Sequence, residues 1–148
     1  MTNKEIVKIW FASLDENNFE AIRKLTDSNY KFYNPMSPVP IGINEHVGMM
    51  QMFASAFKAN HHLDIVIGEG DYVAVKGTWN AIHTGEFNGV PATGKKVQLS
   101  SLEIFHIVDG KIIDNILEMN AMSLMAQIGV VNPTCEVKIR ISIPSRSK

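Results

Sequence analysis

The spacing of apolar residues changes once along this chain, near His61, and that change limits the architectures open to it. Before His61 the apolar positions recur every three or four residues; after it they recur every second residue. Thr2 and Glu5 have the spacing of a capping box, so a first helix is expected to start there and to bury Ile6, Val7, Trp10, Phe11 and Leu14. Asn18 is placed to cap a second, short helix through Phe19, Ala21, Ile22 and Leu25. Tyr30, Phe32 and Asn34 then alternate as in a short strand, until Pro35, Pro38 and Pro40 forbid regular pairing. A third helix, the longest, is expected from about Asn44 to Ala59, with Val47, Met50, Phe53, Ala54 and Phe57 on its buried face.

The second half reads as strands. Leu63, Ile65 and Ile67 alternate, Gly68 and Gly70 turn the chain, and Val73 to His83 forms a long strand. A glycine-rich loop through Gly85, Gly89, Pro91 and Gly94 leads to a second long strand, Val97 to Val108. Asp109-Gly110 is a tight-turn signal, and Lys111 to about Met119 is expected to return antiparallel. Asn120 is placed to cap a last short helix that Gly129 ends. Helices first and an antiparallel meander afterwards define an α+β class, because parallel strands need a helix between each pair. Val137, Ile139, Ile141 and Ile143 alternate with polar residues, so the tail is either an added edge strand or a frayed extension.

At 148 residues the chain is the size of one domain. The 14 Lys and Arg against 15 Asp and Glu leave a formal charge of -1, without the basic excess that nucleic acid binding requires. No apolar run approaches the roughly 18 residues that span a bilayer, and no signal peptide pattern opens the chain, so a cytoplasmic protein is expected. The single Cys135 neither forms an internal disulfide nor completes a zinc site, and His61-His62 is expected to be a solvated loop pair. No metal or cofactor is expected.

One ordered set of motifs is specific: His83-Thr84-Gly85-Glu86-Phe87, Gly89-Val90-Pro91-Ala92-Thr93-Gly94-Lys95, Ile104-Phe105-His106, Asp109-Gly110-Lys111-Ile112 and Gln127-Ile128-Gly129. Together they resemble the SnoaL-like polyketide cyclase or ester cyclase family of the nuclear-transport-factor-2-like superfamily. The resemblance covers roughly residues 3 to 131, which implies one domain over 1–131 and an extension over 132–148. It implies a cone-shaped, curved, mostly antiparallel sheet covered by N-terminal helices, enclosing a deep pocket for a small apolar or polyketide-like ligand. It also implies homodimers packed through the outer sheet face, and cofactor-free acid/base chemistry: intramolecular aldol cyclisation or isomerisation of a carbonyl compound. An apolar cavity raises the pKa of a catalytic carboxyl toward neutrality, which suits that chemistry.

The family's last strand carries a tryptophan, three residues and then the catalytic aspartate; Ile116 and Asn120 stand at those places here, and His106 replaces the usual arginine. Asn120 cannot titrate. Alternation puts Asp114, Ile116, Glu118 and Asn120 on one face, so Glu118 is expected to supply the missing carboxylate, with Asn120 orienting the substrate carbonyl. The bland readings are a rim or ion-paired Glu118 and a helix-capping Asn120. Histidine is the side chain suited to proton transfer at cellular pH, and His106 shares a face with Gln98, Ser100, Leu102 and Ile104, a mixed row that suits a ligand cavity. Glu118, His106 and Asn120 are therefore the catalytic candidates. Asn34, Tyr30, Phe32, Trp79, Gln98, Ile104, Met50 and Phe53 are candidates for holding substrate, and His83 is expected at the mouth, bracing the glycine-rich loop. If no titratable group faces the pocket, the alternative is a binding protein without chemistry.

Overall fold

The computed structural model describes residues 1–130. The elements run α1 (Asn3–Asp15), α2 (Phe19–Leu25), β1 (Thr26–Tyr33), α3 (Ile43–Ala56), β2 (Phe57–Glu69), β3 (Tyr72–His83), β4 (Lys96–Val108), β5 (Lys111–Met119) and α4 (Ala121–Gln127). The capping signals act as the sequence suggests. Thr2 and Glu5 form a reciprocal capping box, Asn18 Oδ1 accepts from Ala21 N, and Asn120 Oδ1 accepts from Ser123 N at 3.0 Å. α3 is shorter than expected at its C-terminal end, because Phe57 is already extended and begins β2.

The five strands form one sheet in the order β1-β5-β4-β3-β2. β2 to β5 are an antiparallel meander, whereas β1 joins the far edge parallel to β5. Helix α3 lies between β1 and β2 in sequence and carries the chain from one edge of the sheet to the other, so β1 need not follow the antiparallel order. The hairpin between β4 and β5 turns on Asp109 and Gly110, with φ of 49° and 74°, the left-handed pair that a two-residue turn demands. The expected strand after His61 begins earlier, at Phe57, so His61 and His62 lie within β2 and not in a loop.

Buried apolar residues fall into two clusters. One joins α1 (Ile6, Val7, Trp10, Phe11) to Tyr30 and Phe32 of β1, Met50 of α3, and Phe105 and Ile107 of β4. The other gathers Phe57, Ala81, Phe87, Val97, Leu99, Leu124 and Ile128. Helices on one sheet face would ordinarily make a single core. Here the interior divides because the concave sheet stands away from the helices between the two clusters.

No described helix is long and apolar enough to cross a membrane. The extension 132–148, with its alternating Val137 to Ile143, and Cys135 all lie outside the described residues.

Candidate active site

Residues from both clusters enclose a cavity of about 470 Å³. Its walls are mainly apolar: Trp10 and Leu14 of α1, Phe32 of β1, Met49, Met50 and Phe53 of α3, Phe57 of β2, Trp79 of β3, Leu99 of β4 and Leu117 of β5. Among these stand polar groups that include Asp15, His46, Lys58, His61, Ser101, Glu103 and Asn115. A volume of this size with sparse, convergent polar groups is the usual form of a small-molecule site.

The strand phase decides which side chains reach the cavity. On β4 the odd-numbered residues Leu99, Ser101 and Glu103 face it, and on β5 Asn115, Leu117 and Met119 do. From Gln98 to His106 of β4 and from Asp114 to Glu118 of β5 the even-numbered residues take the outer face, whereas beyond the register shift at His106 and Ile107 the even-numbered Ile112 turns inward to the core. Glu118 is exposed there and lies opposite Leu102; Gln98 and Ile104 are on the same side. His106 is also outside, stacked on Tyr72 with ring centroids 4.6 Å apart and bonded through Nδ1 to Asp114 at 3.2 Å. The expected face assignment is thus corrected by one residue. Alternation identifies two rows but not which of them looks inward.

The other candidates divide. Phe32, Trp79, Met50 and Phe53 line the cavity. Tyr30 stands behind the wall, its hydroxyl 2.9 Å from His46 Nδ1. Asn34 makes a turn, with Oδ1 accepting from Met36 N at 3.0 Å, and Asn120 is a helix cap. Gln98 donates to Asn80 Oδ1 on the outer face. His83 is fully buried under the glycine-rich loop, with Nδ1 2.9 Å from Thr93 Oγ1.

Three polar constellations stand at the wall, and of their members only Tyr30 is among the candidates that the sequence offers. The first is Glu103, half-buried on β4, which accepts a hydrogen bond from Asn115 Nδ2 at 3.2 Å. Burial pushes its carboxyl up to about 7, while the Asn115 bond and the charge of His61 act in the opposite direction. The second is His46 of α3, stacked on Phe32 at 3.6 Å between centroids and bonded to Tyr30. Desolvation lowers His46 to about 3, so it is a neutral imidazole at cellular pH, and burial raises the Tyr30 hydroxyl, which stays protonated. The third is Asp15 at the end of α1, which accepts from His61 Nδ1 at 2.6 Å and from the His61 backbone amide at 3.0 and 3.1 Å. Among the described residues no group of His, Cys, Asp or Glu has the arrangement to hold a metal ion.

A curved sheet covered by helices around a cavity defines a class of small α+β pocket proteins. The chain belongs to the SnoaL-like polyketide cyclase family, whose profile matches residues 4–128. Solved structures agree on the fold. The candidate hydroxylase AclR from Streptomyces galilaeus superposes with a TM-score of 0.79 at 25% identity, over 86% of this chain and 96% of that one. The candidate polyketide cyclase IdmH from Streptomyces antibioticus gives 0.78 at 21% identity, over 87% and 100%. A candidate SnoaL-like polyketide cyclase from Jannaschia sp. CCS1 gives 0.77 at 20% identity, over 86% and 91%. Among curated proteins none matches significantly.

Proposed function

We propose that the protein is an acid/base enzyme of the cyclase or isomerase kind, acting without metal or cofactor on a small apolar carbonyl compound bound in the cavity. The observation that carries this reading is Glu103. It is a carboxyl in an apolar wall, held near neutrality by burial, with a single side-chain hydrogen-bond partner in Asn115. Such a group takes a proton from a carbon beside a carbonyl and returns one later, because both of its protonation states are populated at cellular pH. The role that the sequence alone suggests for Glu118 therefore passes to Glu103, and the aromatic and methionine wall takes the apolar body of the substrate.

The alternative, a binding protein without chemistry, calls for a pocket of amide and apolar groups only. Glu103 and His61 in the wall favour the enzyme. The deciding experiment compares Glu103→Gln with Glu118→Gln on a polyketide-like diketone. Ring closure lost in the first and kept in the second supports the reading; equal turnover in both removes it.

The same proposal takes residues 1–131 as one cytoplasmic domain, with no nucleic acid partner, that pairs with a second copy through the outer sheet face. Ile67, Ala74, Ile104 and Ile116 are register partners in turn across that face, while the next row runs Ile65, Lys76, Leu102 and Glu118, so the apolar strip is one row wide. A contiguous apolar strip of this kind marks an interaction surface.

A further inference from the structure

Asp15 sits in the last turn of α1, where the helix dipole disfavours a carboxylate. What compensates it is His61, whose ring Nδ1 and backbone amide both meet the Asp15 carboxylate. β2 is an edge strand, so its outward amides would otherwise go to water, and Asp15 caps one of them at the position of an imidazole that lines the cavity. The ring is further fixed by Phe11, 5.3 Å away between centroids. Its Nδ1 is committed to Asp15, so Nε2 is the ring nitrogen left to meet a ligand. The charged groups around His61 are Asp15 from α1 and Glu103 from β4, near enough for the His61 charge to act on its carboxyl, with Lys58 on the same strand at the cavity wall.

We infer that His61, held by Asp15, is a second catalytic residue that donates to the carbonyl oxygen of the substrate while Glu103 works on the neighbouring carbon. This deepens the reading above and rests on it. The two groups define the substrate class as an enolisable ketone whose oxygen lies at the His61 end and whose acidic C–H lies at the Glu103 end. In the first step the C–H bond breaks and its proton passes to the Glu103 carboxylate. The electron pair forms the enol double bond, and the carbonyl oxygen takes a proton from His61 Nε2. When the enol carbon bonds to a second carbonyl carbon of the same molecule, the enol proton returns to His61. The Glu103 carboxyl then protonates the new alkoxide. Substrate and product are isomers, and no co-reactant enters. Asp15 is a positioning residue, acting through the tautomer and charge of His61.

The test uses β-tetralone as a ketone probe and β-naphthol as a probe with the shape of its enol. Deuterium uptake by β-tetralone in heavy water is followed by NMR across pH for the wild type, Glu103→Gln, His61→Gln and Asp15→Asn. The His61 ring nitrogens are followed during a β-naphthol titration. His61→Gln should slow exchange about a hundredfold. Asp15→Asn, which can still accept from the edge amide, should slow it less than His61→Gln and should move the His61 ring-nitrogen signals, because the bond that holds the Nδ1 proton has lost its carboxylate. β-Naphthol should perturb Nε2 and leave the Nδ1 proton in place.

Exchange in His61→Gln at the wild-type rate while Glu103→Gln is slow overturns the role of His61 and leaves Glu103 standing. The reverse pattern brings down Glu103 and leaves His61 a lone acid/base. If the wild type does not exchange β-tetralone, the titration decides alone, and ring nitrogens unmoved by saturating β-naphthol overturn the inference.

Discussion

Glu103 and Asn115 meet diagonally across neighbouring strands inside the cavity, the amide Nδ2 donating to the carboxylate at 3.2 Å while Asn115 Oδ1 is buried without a partner. The pair is arranged for either protonation state of Glu103. A carboxylate accepts from Nδ2, and the protonated acid can donate to the amide oxygen after the amide turns over. Removing this bond in Asn115→Leu should push the Glu103 carboxyl further up. The midpoint of its titration, read by carboxyl carbon NMR, is expected to rise above the present value of about 7.

Stability should fall as pH rises through the range that Glu103 spans. Its ordinary value is 4.5 and its folded value about 7, so between these the folded state holds the proton that the unfolded chain has released. Above the folded value the full cost applies, about 3 kcal/mol by the usual conversion. Glu103→Gln is expected to lose this slope and to be more stable than the wild type in alkaline urea melts, even as it loses activity.

His46 gives the opposite slope at lower pH. Its folded value is depressed to about 3 from 6.5, so the unfolded chain binds a proton first and stability is lost as pH falls through that window. In His46→Phe, which can keep the stack on Phe32, acid unfolding should shift to lower pH. The slope that remains between the Glu103 values should then fall throughout with rising pH. Urea midpoints measured across pH for both single variants separate the two contributions.

Gly85 is predicted to be intolerant of any side chain. Its amide and that of Thr84 both donate to Ala56 O, and a Cβ at Gly85 would overlap the carbonyl oxygen of Ser55. Gly85→Ala should cost about 2 kcal/mol or more, the scale of overpacking, and should loosen the start of β2 beside the cavity. Thermal melts and amide exchange at Phe57 and Lys58 check both effects.

Ile104→Glu places a charge in the middle of the apolar row from Ile67 to Ile116. If the outer sheet face pairs two copies as proposed, sedimentation should show a dimer for the wild type and a monomer for the variant, with the near-ultraviolet signal of Trp10 and Trp79 unchanged, since both rings lie on the cavity side.

Much of the fold was legible because it is written in local chemistry. The capping box at Thr2 and Glu5, the caps at Asn18 and Asn120, and the Asp109-Gly110 turn each satisfy nearby backbone groups and need no tertiary information. The site was less legible. Phe32, Met50, Phe53 and Trp79 fall in the cavity wall, but Glu103, His46 and the Asp15–His61 pair were passed over. Inward rows are ordinarily apolar and outward rows polar, and that contrast sets the phase of a strand. On β4 the inward row includes Ser101 and Glu103 because it lines a cavity, while the outward row carries Leu102 and Ile104. With the contrast reversed, alternation favours the wrong face. His61 was lost for another reason: Asp15 lies 46 residues away in sequence, and only folding brings the two together.

The one-residue phase of β4 and β5 has a consequence for how such a protein can diversify. From Leu99 to Glu103 of β4 and from Asn115 to Met119 of β5 each strand is a two-sided tape, with every second position reading into the cavity and the intervening positions reading outward. Substitutions at Leu102, Ile104, Ile116 or Glu118 change the outer surface without touching the cavity wall, and those at Ser101, Glu103, Asn115 or Leu117 change the cavity while the outer surface stays constant. Selection can act on the outer surface and on the cavity separately, along the same short stretch of chain.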